Sequence, residues 1–104
     1  MWAQMIKLRV KQGTEEKLGR ILEQLQATEQ PGSGLLREIA MRDQKDPASI
    51  YVLAVFESEE KARAREQDPR RREGLQKVNA LLAEVIAGPP EFFDLEVMDE
   101  FTME

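Results

Sequence analysis

The chain has 104 residues, 15 Lys and Arg against 20 Asp and Glu, a net charge of −5, and 41% apolar residues. That is the length of one domain and the composition of a globular chain rather than a disordered one. Cys and His are both absent, which excludes disulfides, thiol nucleophiles, thiolate or imidazole metal sites, a Ser-His-Asp triad and His-ligated haem.

From Trp2 to Val10 the apolar residues Ile6, Leu8 and Val10 alternate with Lys7 and Arg9. Period two predicts a strand with one buried face. No basic and apolar leader precedes it, so no secretory signal is expected, and with no Cys the expected location is cytoplasmic. No apolar run approaches the ~18 residues of a membrane span. Gln12-Gly13 reads as a turn and Thr14 as a helix N-cap, followed by Glu15 and Glu16 where the helix dipole favours negative charge. Leu18, Ile21, Leu22 and Leu25 form one helical stripe, which Gln30-Pro31-Gly32 ends.

Leu35–Arg42 reads as a second strand and Asp43–Ser49 as a loop. Ile50–Phe56 is apolar throughout, the pattern of a central strand buried on both faces, and pairs with its predecessor as an antiparallel hairpin. Ser58 caps a short helix running to about Gln67. Asp68-Pro69 restarts it as a cap followed by Pro at the first helical position. Leu75, Val78, Leu81, Leu82, Val85 and Ile86 carry the stripe of the longer helix, which Gly88 is expected to close. Phe92 to Phe101 reads as the last strand.

The order is β-α-β-β-α-β, an α+β ferredoxin-like fold with a four-stranded antiparallel sheet and helices on one face. The uncovered face is expected to carry Ala3, Met5 and other apolar residues. An exposed patch of that kind predicts face-to-face pairing of two copies.

The segments Val10–Glu16, Gln30-Pro31-Gly32, Arg42-Asp43 with Asp46-Pro47, Phe56–Glu60 and Asp68-Pro69, in this order and spacing, resemble the antibiotic biosynthesis monooxygenase domains. The resemblance covers nearly the whole chain and implies a dimeric α/β barrel. It implies membership beside cofactor-independent monooxygenases of aromatic polyketides or quinols, haem-degrading enzymes, and small proteins without known activity. In the haem-degrading branch a strand-one Asn falls on or near Ile6 and a helix Trp on Arg65, and a His ligand is required. This chain lacks all of these, so that activity is not expected. Other members carry Trp where this chain has Phe56, His where it has Arg65, and a His-Phe pair where it has Arg70-Arg71.

The function expected from the resemblance is therefore cofactor-independent oxygenation of a small aromatic or quinol substrate, with no metal and no cofactor. The alternative is a non-catalytic small-molecule-binding or structural homodimer of the same fold. A substrate that reduces oxygen itself needs an apolar cavity, a proton acceptor and donors for the anion. The residues singled out as catalytic are Tyr51 and Arg65, with Trp2, Met5 and Phe56 lining the cavity. Arg37 is a further donor, and Glu38 and Glu96 are the acceptors. For Tyr51, Trp2 and Phe56 core packing is the competing role, and for Arg37 and Glu38 an ordinary surface charge. The run from Lys61 to Arg72 alternates with Glu and Asp and reads as a solvated, salt-bridged helix face rather than a nucleic-acid surface.

Overall fold

The computed structural model describes residues 1–103. Strand β1 covers Trp2–Arg9, helix α1 Glu15–Ala27, β2 Leu35–Arg42, β3 Ser49–Phe56, α2 Glu59–Glu66, α3 Arg72–Val85 and β4 Glu91–Glu96. A 3-10 turn, Pro69–Arg71, joins α2 to α3. The sheet has four strands in the order β2-β3-β1-β4, each antiparallel to its neighbour. This is the α+β ferredoxin-like arrangement that the element order predicts. The chain has no helix, among the described residues, long and apolar enough to cross a membrane.

The register sorts side chains between two faces. Trp2, Gln4, Ile6 and Leu8 pair with Phe56, Ala54, Val52 and Ile50 on the helix side. Odd-numbered neighbours such as Ala3, Met5, Leu53 and Val55 therefore point to the other side. Under the helices, Leu8, Val10, Leu18, Ile50 and Val52 make one cluster, and Ile21, Val78 and Val85 make a second where α1 packs on α3. Val85 is fully buried. On the open face Ile39, Met41, Phe93 and Leu95 are each at least 40% exposed.

Several boundaries differ from the sequence reading, each for a local reason. Thr14 does precede α1, but its hydroxyl donates to the Lys11 carbonyl at 2.6 Å and caps no helical N–H. Helix α1 stops at Ala27, ahead of Gln30-Pro31, because the Thr28 hydroxyl and N–H both turn back to the Leu25 carbonyl. Helix α3 ends at Val85 rather than at Gly88. Ile86 is already extended and bridges Val10, with Lys11 N–H donating to Val85 O at 2.7 Å and Ala87 N–H to Arg9 O at 2.8 Å. Strand β4 ends at Glu96, opposite Trp2, with Val97 N–H reaching the Met1 carbonyl only at 3.4 Å. Phe101 consequently lies in a tail and not in a strand.

The other caps form as their residue types require. Ser58 Oγ accepts from Lys61 N–H, and Asp68 Oδ1 accepts from Arg70 N–H at 2.9 Å, with Pro69 beginning the turn. Gly34 has φ of +84° where β2 begins, and a Cβ there would lie 2.7 Å from the Lys61 side chain, so only glycine is accommodated.

Candidate functional site

Between the helix side of the sheet and the α1–α3 pair lies a cavity of about 440 Å3. Apolar residues from both layers wall it, among them Ile6 and Val52 from the sheet and Leu22, Leu75 and Leu82 from the helices. Phe92 of β4 also lines it and is 59% exposed, so this side meets solvent. An apolar concavity with a few convergent polar groups is the usual form of a small-molecule site.

The polar residues on the cavity wall are Gln4, Glu38, Arg65, Glu66, Arg71 and Asn79, and of these Glu38, Arg65 and Arg71 act on one another by charge. Arg65 leaves α2 with its guanidinium 5.3 Å from the Phe56 ring centroid. It donates to Glu29 from Nε at 3.0 and 3.1 Å and from Nη2 at 2.7 Å. This is a bidentate pair on side chains only 12% and 26% exposed. Burial alone would raise the Glu29 carboxyl. Hydrogen bonds from Arg65 and Ser33, with the Arg65 and Arg71 charges, outweigh it and hold the carboxyl below its ordinary range.

Arg71 ends the 3-10 turn and is 3% exposed. Its Nη1 donates to the Arg65 carbonyl and its Nη2 to Thr28 Oγ1, both at 3.2 Å. Its Nε is buried with no partner. Burial, then the like charge of Arg65, depress this guanidinium, and Glu29, Asp68 and Glu38 only partly oppose them. Thr28 comes this close because α3 has glycine at the crossing: a Cβ on Gly74 would lie 2.6 Å from Thr28 Cγ2.

Glu38 is half-buried on β2, opposite Ala54 of β3. Burial pushes its carboxyl above the ordinary range. The Arg65 charge pulls it down and the Glu29 charge pushes it up again. The raised value makes the ionised carboxylate a stronger proton acceptor than an exposed one.

The residues singled out from sequence are divided between the two faces. Arg65 and Phe56 line the cavity. Trp2 is on the same side, its ring 6.0 Å from that of Phe56, and is covered by Arg63 at 4.9 Å instead of facing the cavity. Met5 and Tyr51 are on the opposite face, where Tyr51 pairs with Lys7 and Met41. Arg37 is there too, ion-paired to Glu100 at 2.6 Å. Glu96 is exposed at the end of β4. The basic run is a solvated face only in part. Arg63 pairs with Asp94, Glu59 and Glu66, and Arg70 with Asp68. Arg65 and Arg71 turn inward instead, and the sequence reading missed Arg71 as a site residue.

The family model for antibiotic biosynthesis monooxygenases matches residues 1–87. The chain belongs to that family. A search of curated proteins returned no match. Among solved structures, a candidate antibiotic biosynthesis monooxygenase of Chloroflexus aurantiacus is 23% identical, with 99% of this chain and 98% of that one covered and a TM-score of 0.72. A candidate of the same description from Caulobacter crescentus is 15% identical, with 94% and 90% covered and a TM-score of 0.77. A protein of unknown function from Nitrosomonas europaea is 19% identical, with 99% and 94% covered and a TM-score of 0.73. At these identities the likeness establishes a shared fold, and the fold alone does not fix a reaction.

The Arg65–Glu29 pair gives a first test. Arg65→Gln leaves Glu29 partly buried without its counter-charge and lowers stability by about 1–3 kcal/mol. Glu29 is depressed from 4.5 in the folded chain, so its stabilising contribution is present above that value and is lost as pH falls through the folded value. Denaturant melts of the two proteins differ most at neutral pH and converge in acid.

Proposed function

We propose that the cavity is the active site of a cofactor-independent monooxygenase acting on a small phenol or hydroquinone. The observation that carries this reading is one half-buried carboxylate, Glu38, on the wall of an otherwise largely apolar cavity beside Arg65 and Arg71. Glu38 accepts the phenolic proton. The guanidinium groups favour the resulting phenolate by charge, and the apolar walls exclude water and strengthen that attraction. The phenolate gives one electron to O2, forming an aryloxyl radical and superoxide. The pair recombines at a ring carbon as a peroxide anion, which takes the proton back from Glu38, and the hydroperoxide then loses water with the hydrogen of that ring carbon to leave a quinone. One O2 is consumed, one oxygen atom enters the product, and the other leaves in water, so the substrate itself is the reductant.

Oxygen uptake on a panel of hydroquinones and polycyclic phenols, against a protein-free control, tests the reading. Uptake above the control, reduced about 100-fold by Glu38→Gln, is the expected outcome. The wild-type rate falls as pH drops through the Glu38 value, which lies above the ordinary 4.5, because only the ionised carboxylate accepts the proton. That acid limb disappears in Glu38→Gln. Protein that binds these compounds in its cavity without uptake would support the non-catalytic alternative.

We infer a homodimer paired through the open sheet face. Ile39, Met41, Phe93 and Leu95 are exposed there together, and two such faces bury each other under a two-fold axis. Light scattering behind size exclusion is expected to give twice the 11.9 kDa chain mass, and Phe93→Glu to shift it to the monomer. A monomeric wild type contradicts the inference.

A further inference from the structure

We propose that Arg71 is an anion subsite and that the ligand of this cavity is a phenolic acid, a small aromatic molecule with a carboxylate on Arg71 and a ring hydroxyl towards Glu38. This rests on the cavity being the site but not on turnover.

Arg71 is a buried charge with no carboxylate hydrogen-bonded to it. Its only hydrogen bonds go to two neutral oxygens, the Arg65 carbonyl and the Thr28 hydroxyl, and its buried Nε–H has no acceptor. Among the described residues no carboxylate is hydrogen-bonded to it: Glu38 acts on it by charge alone, and the other two are committed elsewhere. Glu29 is held bidentately by Arg65, and Asp68 by the Arg70 guanidinium at 2.7 Å and the Arg70 N–H at 2.9 Å. The neighbouring guanidinium of Arg65 adds repulsion. A buried, unpaired guanidinium is unfavourable unless something supplies the missing charge and acceptor.

The chemistry of the cavity selects the anion. A phenol stays neutral at pH 7, whereas a carboxylate is ionised and supplies both the charge and the in-plane acceptor oxygen that an Arg N–H requires. A doubly charged phosphate would have to shed more hydration to enter walls made of Ile6, Val52, Leu22 and Leu82. An aromatic body occupies those walls, and its hydroxyl is left for Glu38.

The test is calorimetric binding of 2-naphthoate and its neutral isostere 2-naphthamide to the full chain. The expected result is about tenfold tighter binding of the acid, the size of one charge-assisted hydrogen bond. Arg71→Gln is expected to remove the preference by weakening the acid more than the amide, and Arg71→Lys to keep part of it. If Arg71→Gln does not fold, the wild-type pair of ligands decides alone. Equal affinities, tighter binding of the amide, or binding of neither overturns the proposal. Oxygen uptake with a neutral hydroquinone on the same preparation separates the two readings. Uptake without any preference for the acid removes the subsite and leaves the oxygenase standing. Preference for the acid without uptake does the reverse.

Discussion

Drawing two guanidinium groups under a helix layer is the constraint on which this site depends. The break at Asp68-Pro69 makes it possible. The Asp68 side chain caps the turn and Pro69 sets its first dihedral, so the chain changes direction between α2 and α3. Arg71, at the end of that turn, is carried inward against Thr28. Arg65, on the other side of the break, reaches Glu29 just beyond the end of α1. The two contacts fasten α1, α2 and α3 together. They also give polar groups to a cavity that apolar stripes alone would have left as a plain gap.

The sheet contributes by alternation, broken at the irregularity between Leu35 and Arg37 of β2. Its helix side supplies Ile6, Val52 and Phe56 to the cavity wall, while the next residue along each strand belongs to the opposite face. The two apolar faces have different fates. One is closed by helices that leave room between them. The other has no cover in a single chain, which is why the cavity reading and the dimer reading come from the same pairing register.

Most of the fold was legible from local chemistry. Period two marked the strands, period 3.6 the helices, and Ser58 and Asp68 their starts. The ends of elements were less legible because partners set them. Strand β4 stops opposite Trp2, the first residue of β1, and α3 stops where Ile86 finds Val10. Part of the site was readable but overlooked. Tyr51 and Phe56 differ by an odd number along one strand, as do Trp2 and Met5, so neither pair could share a wall. Glu38 was identified as an acceptor and does line the cavity. Arg71 was not legible, because a 3-10 turn resets the helical phase and no periodicity carries across it. Gly74, which lets Thr28 approach, gives no signal until the two helices are packed.

The central claim is that small aromatic molecules enter the helix-side cavity and not the open sheet face. Methyl-resolved NMR of the chain during addition of an aromatic probe such as 2-naphthol tests it most directly. The account predicts that signals of Ile6, Val52, Leu22 and Leu82 shift together and saturably, while those of Met41 and Leu53 on the far face stay in place. Shifts confined to the far face, or no saturable shift at any cavity methyl, would contradict it.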